Sequence, residues 1–579
     1  MRATTLSLAL LALCACTPRG EQQPAIDAQA DATPAADAVA TGSHAFQDAI
    51  DAGDFAEHVK HLASDEFGGR GPGTPGEDKT VEYIKAQFAR IGLQPGNGSD
   101  WFQTVPMVET TADESATLDI TVAGAPQVLK FGSDMVIGTR TGQAQVNVKD
   151  SQLVFVGYGV DAPEQKWNDY AGIDVKGKTV VMLVNDPGFH ANDAKLFDGK
   201  RMTYYGRWTY KFEEAARKGA AAALIIHDTE GASYGWDVVK NSWSGPQYDL
   251  PAKDDPAPRV PAQGWMTGDA AAALFKAAGQ DLAKLRAAAN KRGFKPVPLD
   301  ATVSLALKST TVEKSSRNVV GLLPGSETPD EAIVYMAHWD HLGTHESEAG
   351  DNIYNGAVDN ATGVAAIIEI AEAFRKAKLP PKRSVLFLAV TLEESGLLGS
   401  KYYVAHPVIP LDKTVAVFNL DALSPVGKAR DITVVGKGSS QLEDLLKPLL
   451  DGQKRKPVGE TNTAAGYYFR SDHFNFAKAG VPALYIDSGT DLLEGGQAAG
   501  DAAGKDYTDN RYHKAADHYD AATWKLDGIV QDLDVVATMG STLANDGQWP
   551  NWYEGNPFKA ARDAMRPAAV PTAPAAAKK

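Results

Sequence analysis

Three short apolar runs, each ending in residues that can ligate metal, organise the second half of the chain. Residues 332–337 (AIVYMA) lead into His338, residues 384–391 (SVLFLAVT) into Glu393 and Glu394, and residues 415–420 (VAVFNL) into Asp421. Uninterrupted apolar runs of this length predict strands covered on both faces, as in a parallel sheet. Between the first two, Val364, Ile367, Ile368, Ala371 and Phe374 recur at helical spacing behind Asn360 or Thr362, either of which can cap a helix. Strand, helix, strand predicts parallel pairing, and in such sheets functional groups gather beyond the carboxyl ends of the strands. The predicted fold class is α/β, a mixed and mostly parallel sheet flanked by helices.

Five residues at such positions form a candidate metal set: His338, Asp359, Glu394, Asp421 and His513. Zinc takes imidazole nitrogen and carboxylate oxygen, and a catalytic site holds each ion with about three protein ligands and one open position. Five side chains fill two such sites if one bridges. Asp359 is the natural bridge, with His338 and Asp421 serving one ion and Glu394 and His513 the other. The expected cofactor is therefore two Zn²⁺ ions per chain, and zinc lowers the pKa of bound water to about 7. Glu393 cannot easily turn to the same ion as its neighbour, which leaves it free as general base and later acid. Asp340, two residues beyond His338, is expected to accept that imidazole's other N–H and fix its tautomer. His341, His345 and His473 are not expected to be ligands, and support of His513 by Asp517 or Asp520 is left open.

Six ordered motifs then resemble the co-catalytic dizinc exopeptidases, which include bacterial secreted aminopeptidases and glutamate carboxypeptidase II. They are His-x-Asp at His338 and Asp340, Asp-Asn-x-x-Gly from Asp359 to Gly363, Glu-Glu at 393 and 394, Asn-Leu-Asp at 419–421, Ser-Asp-His at 471–473, and Tyr-His at 512 and 513. The resemblance implies that a tyrosine three residues before Ser-Asp-His, here Tyr468 with Tyr467 close by, polarises the scissile carbonyl. It also implies a cis peptide between Asp359 and Asn360.

Ahead of these motifs, Val81, Ile84, Phe88 and Ile91 predict one face of a helix over residues 75–91. From about Glu114 the pattern changes to short strands, and residues 209–218 predict a helix feeding a strand at 222–226. This stretch resembles a protease-associated domain, whose implied role is to roof the cleft. The expected organisation is a peptidase domain in two parts, 44–112 and 313–560, with the inserted domain at 113–312. A closing amphipathic helix carries Leu526, Ile529, Val530, Leu533, Val536 and Met539, and the Ala/Pro-rich tail, 561–579, is expected to be disordered.

Length and composition then narrow the function. A chain of 579 residues with 44% hydrophobic content has material for two or three domains. A net charge of −16 with no basic stripe argues against nucleic-acid binding. Arg2, the apolar run 6–13 and Leu13-Cys14-Ala15-Cys16 predict a signal peptide over 1–15, too short to span a bilayer. The Leu-x-Ala-Cys pattern resembles a bacterial lipoprotein box, implying a lipid anchor on Cys16 as the one membrane contact, a flexible linker over 16–43 and a place in the bacterial cell envelope. No G-x-S-x-G follows a strand, which disfavours serine hydrolysis, and Gly71 to Gly76 matches G-x-G-x-x-G without the strand that dinucleotide binding needs. The expected function is a zinc exopeptidase acting on short peptide substrates, an aminopeptidase before a carboxypeptidase. A non-catalytic binding protein on the same scaffold and glutaminyl cyclisation are the readings of other classes.

Overall fold

The computed structural model describes residues 44–47, 49–191, 193–345 and 350–566. The expected signal peptide, the linker and Cys16 lie outside them. The apolar runs form the centre of a sheet. The strand Thr328–His338 lies between Arg383–Val390 and Thr414–Leu420, parallel to both, and Thr414–Leu420 is parallel in turn to Ala483–Ser488. Antiparallel strands close this core on either side: Val297–Leu323 pairs with Arg383–Val390, and Asp431–Val435 pairs with Ala483–Ser488.

Period-two alternation explains why these strands are apolar throughout. Ile333, Tyr335 and Ala337 point into a core shared with Val81, Ile84 and Phe88 of the helix Pro75–Ile91, Val364 and Ile368 of Thr362–Lys376, and Leu533 and Met539 of Asp527–Asp546. Val334 and Met336 point the other way, against Tyr403, Phe474 and Trp552. With helices on both faces, neither side of a strand can be polar until the strand ends, and there the polar residues begin.

The region between the two peptidase parts forms a second core around parallel strands at Thr179–Leu183, Ala222–Ile226 and Ala262–Met266. The strand Val297–Leu323 belongs to both sheets. Its first half pairs with Gln145–Phe155 and its second with Phe102–Ala112 and Arg383–Val390, so the chain passes 312 without a break. The helix expected over 209–218 runs Trp208–Arg217. The start of the expected tail is corrected. Residues up to Met565 continue the helix Lys559–Met565, anchored by the buried Arg562 guanidinium, which donates to the carbonyls of Thr414 and Val415 at 3.1 and 3.0 Å. Among the described residues no helix is long and apolar enough to cross a membrane.

One glycine sets how closely the helix after Asp359 approaches the strand before Asp421. A Cβ on Gly363 would lie 2.2 Å from the Leu420 carbonyl oxygen and 2.4 Å from Asn360 Oδ1. That amide is engaged on both sides, accepting from Gly363 N–H at 2.9 Å and donating to Leu420 O at 3.1 Å. Asn360, rather than Thr362, takes up a first-turn N–H of the helix, whose N-cap position is Ala361. The Asp-Asn-x-x-Gly spacing thus welds the Asp359 loop to the end of the Asp421 strand. Gly363→Ala is expected to destabilise the chain by about 1–3 kcal/mol through overpacking, read as a lower urea midpoint.

Candidate metal centre

The strand ends and two loops bring all five predicted ligands together. His338 Nε2 lies 3.2 Å from Asp359 Oδ1 and 3.1 Å from Asp421 Oδ1. His513 Nε2 lies 3.3 Å from Asp359 Oδ2 and 3.1 Å from Glu394 Oε2. The two oxygens of Asp359 therefore face two different imidazoles, each backed by one further carboxylate. The peptide between Asp359 and Asn360 is cis.

The electrostatics of this cluster follow from crowding carboxylates in a buried space. Against burial, Asp421 and Glu393 push the His338 imidazole well above its ordinary range, and Glu394 and Asp359 push His513 up to about 10. Against burial likewise, His513 and His341 hold Glu394 down to about 2. Burial pushes Glu393 well above the ordinary carboxylate range. Every shift reports the same demand, positive charge at the centre of the cluster. The nitrogen and oxygen donors suit divalent cations: His338, Glu393 and Asp421 offer ligand atoms all within 4.8 Å of one another, and so do His341, Asp359 and Glu394, a set that holds His341 in place of His513.

Residues 318–538, which contain every one of these side chains, match the family model "Peptidase family M28". This part of the chain is similar to peptidase family M28. Aminopeptidase NAALADL1 of Mus musculus is 30% identical over 137 residues, 22% of this chain and 17% of that protein. Aminopeptidase YwaD of Bacillus subtilis (strain 168) is 29% identical over 190 residues, 31% of this chain and 36% of that protein. The match thus spans well under half the length of either relative. A solved structure, an aminopeptidase from Aneurinibacillus sp. strain AM-1, is 22% identical with a TM-score of 0.49, covering 86% of this chain and 94% of that one.

Around this centre, main-chain groups and buried polar side chains orient the cluster. Ser471 Oγ donates to Asp421 Oδ2 at 2.6 Å and accepts from Asn419 Nδ2 at 2.7 Å. Asp472, which burial pushes up to about 7, accepts from Ser400 Oγ at 2.5 Å. Asp517 accepts the N–H groups of Val358 and Asp359 at 3.1 Å, so it holds the Asp359 loop and not His513, whereas Asp520 caps its own turn through Ala522 N–H at 2.9 Å. His341, not expected to be a ligand, donates from Nδ1 to Glu394 Oε1 at 2.7 Å.

Two expectations are corrected. The group that accepts His338 Nδ1–H is the Asp340 main-chain carbonyl at 3.1 Å; the Asp340 carboxylate is 3.9 Å away and instead accepts Glu393 N–H at 3.2 Å. The strand ends at His338, and the bend beyond it brings the carbonyl, not the side chain, under the ring. Asp340 therefore sets the main chain of Glu393. Tyr468 is turned away from the centre. Among the described residues its buried hydroxyl has no hydrogen-bond partner, its ring stands edge-on to His473 with centroids 4.7 Å apart, and the charge it senses is Glu443. The tyrosines whose phenols sense the cluster are Tyr485, which lies opposite Asn419 on the adjacent strand, Tyr507, and Tyr512, which stacks on His513 at 4.0 Å.

Arg70, which the sequence reading passed over, ties these parts together. Its buried guanidinium donates to five carbonyls: Trp339 at 2.9 Å, Leu62 at 2.9 Å, Asn355 at 2.5 Å, Gly356 at 2.8 Å and Asp359 at 3.4 Å. One planar fork thereby joins the end of the His338 strand to the Asp359 loop. Burial pushes Arg70 down to about 10, against the pull of Asp359, Asp517, Asp340 and Glu394. A lysine has three donors and no fork. Arg70→Lys is expected to lose about 2–6 kcal/mol in urea unfolding, since two carbonyls lose their donors at about 1–3 kcal/mol each.

Proposed function

We propose that the chain is a zinc-dependent exopeptidase of the aminopeptidase kind, holding two ions and acting on short peptides. The observation that carries this reading is Asp359, whose two carboxylate oxygens each face an imidazole that is paired with one further carboxylate. That is the arrangement of a carboxylate shared by two cations. His338 and Asp421 would hold one ion, Glu394 and His513 the other, and Asp359 both. When bound, the ions polarise the scissile carbonyl and activate a water.

The remaining steps belong to the chain's own groups. Glu393 precedes Glu394 just beyond the end of the same strand, and no side chain among the described residues donates a hydrogen bond to its carboxylate. It takes the proton from the attacking water and delivers it to the leaving amine. Its main chain is fixed by Asp340, so the carboxylate reaches the reacting atoms from a set position. His338 is held as the tautomer protonated at Nδ1, with Nε2 directed at the cluster. The aminopeptidase assignment is supported by the relatives of Mus musculus and Bacillus subtilis, both aminopeptidases. The signal-like run and Cys16 support export to the bacterial envelope, with a lipid on Cys16, and the short strands at 113–312 support a protease-associated domain beside the cleft.

Glu393→Gln is expected to retain its zinc and to lose at least about 100-fold in kcat, near 2.7 kcal/mol of barrier. Metal analysis beside a leucine p-nitroanilide assay reads both, and wild-type turnover in this variant would remove the proton-shuttle assignment. Asp359→Ala is expected to lose metal and activity together.

A further inference from the structure

Residues 276–295, in the inserted region, run against the charge of the chain. They hold six cations, Lys276, Lys284, Arg286, Lys291, Arg292 and Lys295, and one acid, Asp281, in a protein of net charge −16. Separated by alanines, these cations form no stripe in the sequence, and the structure gathers them. Asp281 caps the helix Leu282–Ala289 by accepting Lys284 N–H at 3.1 Å. Beyond the helix the chain turns straight back: Lys291 N–H donates to Ala288 O at 3.0 Å and Phe294 N–H to Lys291 O at 3.2 Å, with Gly293 at a φ of 84°. Asn290 Oδ1 accepts the Tyr158 hydroxyl at 2.7 Å and Arg292 donates to the Gln165 carbonyl, which pins the turn. Lys284, Lys291, Arg292 and Lys295 thereby come to line one groove of about 480 Å³.

Two features set this groove apart from ordinary surface charge. The first is that its cations are largely unmatched. Among the described residues Lys291, Arg292 and Lys295 form no ion pair, and Lys284, whose side chain is 84% exposed, meets only the capping Asp281 at 3.5 Å. The second is the floor. Leu285, Ala287, Ala288, Phe294 and Val297 line the same groove, so positive charge stands around an apolar surface. On the other flank of the helix a second groove, of about 360 Å³, lies between Arg286 and the apolar Leu282, Ala283 and Ala287. Only Ala289 of this helix is fully buried, while Ala283, Ala287 and Ala288 face solvent. A helix of eight residues takes its stability from packing, and this one leaves a face of small apolar side chains uncovered.

Cations around an apolar floor match a molecule with a negative head and a hydrocarbon body. Clusters of about four to eight Lys and Arg on an amphipathic helix bind anionic bilayers, and their attraction acts within a Debye length of about 8 Å at physiological salt. Repulsion from the acidic remainder of the chain is screened beyond that distance. Apolar side chains between the cations can enter the boundary between head groups and acyl chains, while the long lysine stems keep their ammonium groups at the phosphates. An acidic peptide uses the charges and leaves the floor wet, whereas a phospholipid uses both.

We propose that the helix Leu282–Ala289 and the turn after it form a docking surface for the anionic phospholipid face of a bilayer. Phosphate groups meet Lys284, Lys291, Arg292 and Lys295, and the apolar floor lies against the glycerol and upper acyl region. This adds a membrane contact to the one expected through Cys16 and sets which side of the inserted region faces the bilayer. It stands independently of a lipid on Cys16 and of the hydrolase reading.

The test is co-sedimentation of the zinc-loaded full chain, carrying Cys16→Ser so that no lipid can be attached, with two kinds of vesicle. One holds phosphatidylglycerol and phosphatidylcholine in equal parts, the other phosphatidylcholine alone. Partition onto the anionic vesicles is expected to exceed that onto the neutral ones at least about tenfold at about 0.05 M NaCl, and to fall towards the neutral value by about 0.5 M as the charges are screened. The exposed triple variant Lys284→Glu, Lys291→Glu, Lys295→Glu is expected to lose the preference while keeping the wild-type urea midpoint. A control with the same change of charge at exposed lysines elsewhere, Lys447→Glu, Lys505→Glu, Lys525→Glu, is expected to retain it. Equal partition onto the two kinds of vesicle, a preference that survives the first triple variant, or one that the control loses equally overturns the proposal. Poly-L-glutamate that displaces the chain from the vesicles at an equal concentration of charge assigns the surface to an acidic polypeptide and overturns it as well.

Discussion

The architecture turns on one unfavourable interaction, the mutual repulsion of carboxylates gathered in a buried space. Asp359, Glu393, Glu394 and Asp421 converge with Asp340 and Asp472 close behind, and removing such charges from water is costly unless they are matched. The protein meets this demand with imidazoles at the front and a permanently charged guanidinium at the rear. Arg70 lies on the main-chain side, where it leaves every carboxylate oxygen free to face inward. A carboxylate already paired with arginine would be a poorer metal ligand, so an arginine that bonds to carbonyls alone adds positive charge without consuming a donor.

Cluster geometry is inherited from the sheet. His338, Glu393 and Asp421 follow three adjacent parallel strands in register, which places their side chains at one edge without any loop having to find them. Gly363 and Asn360 then bring the Asp359 loop against the Asp421 strand, and Asp517 takes up the N–H groups that the loop exposes. Only His513 comes from a region without regular structure, at a residue with φ of 55°, and it is the most exposed of the set. Its ring is steadied by Tyr512 on one face.

This division explains what the sequence could reveal. The strands and their terminal ligands were legible because a doubly covered strand must be apolar to its last residue, so the first polar side chain marks the edge. Helical spacing behind Asp359 was legible for the same reason. Asp340 and Tyr468 were misread because both inferences assumed how the chain continues past an element: the strand stops at His338, and the Tyr467-Tyr468-Phe469 turn sends its middle ring into the aromatic core. Arg70 and Asp517 left no signal. Arg70 and Asp517 act through main-chain carbonyls and amides contributed mostly by segments more than 150 residues away, and neither periodicity nor spacing encodes such contacts.

The most direct test of the central claim is anomalous diffraction at the zinc edge from crystals of the zinc-loaded protein. The account predicts two peaks about 3.5–4 Å apart on either side of the Asp359 carboxylate, one beside His338 and Asp421 and the other beside Glu394 and His513. A single peak, or peaks that do not share Asp359, would contradict it.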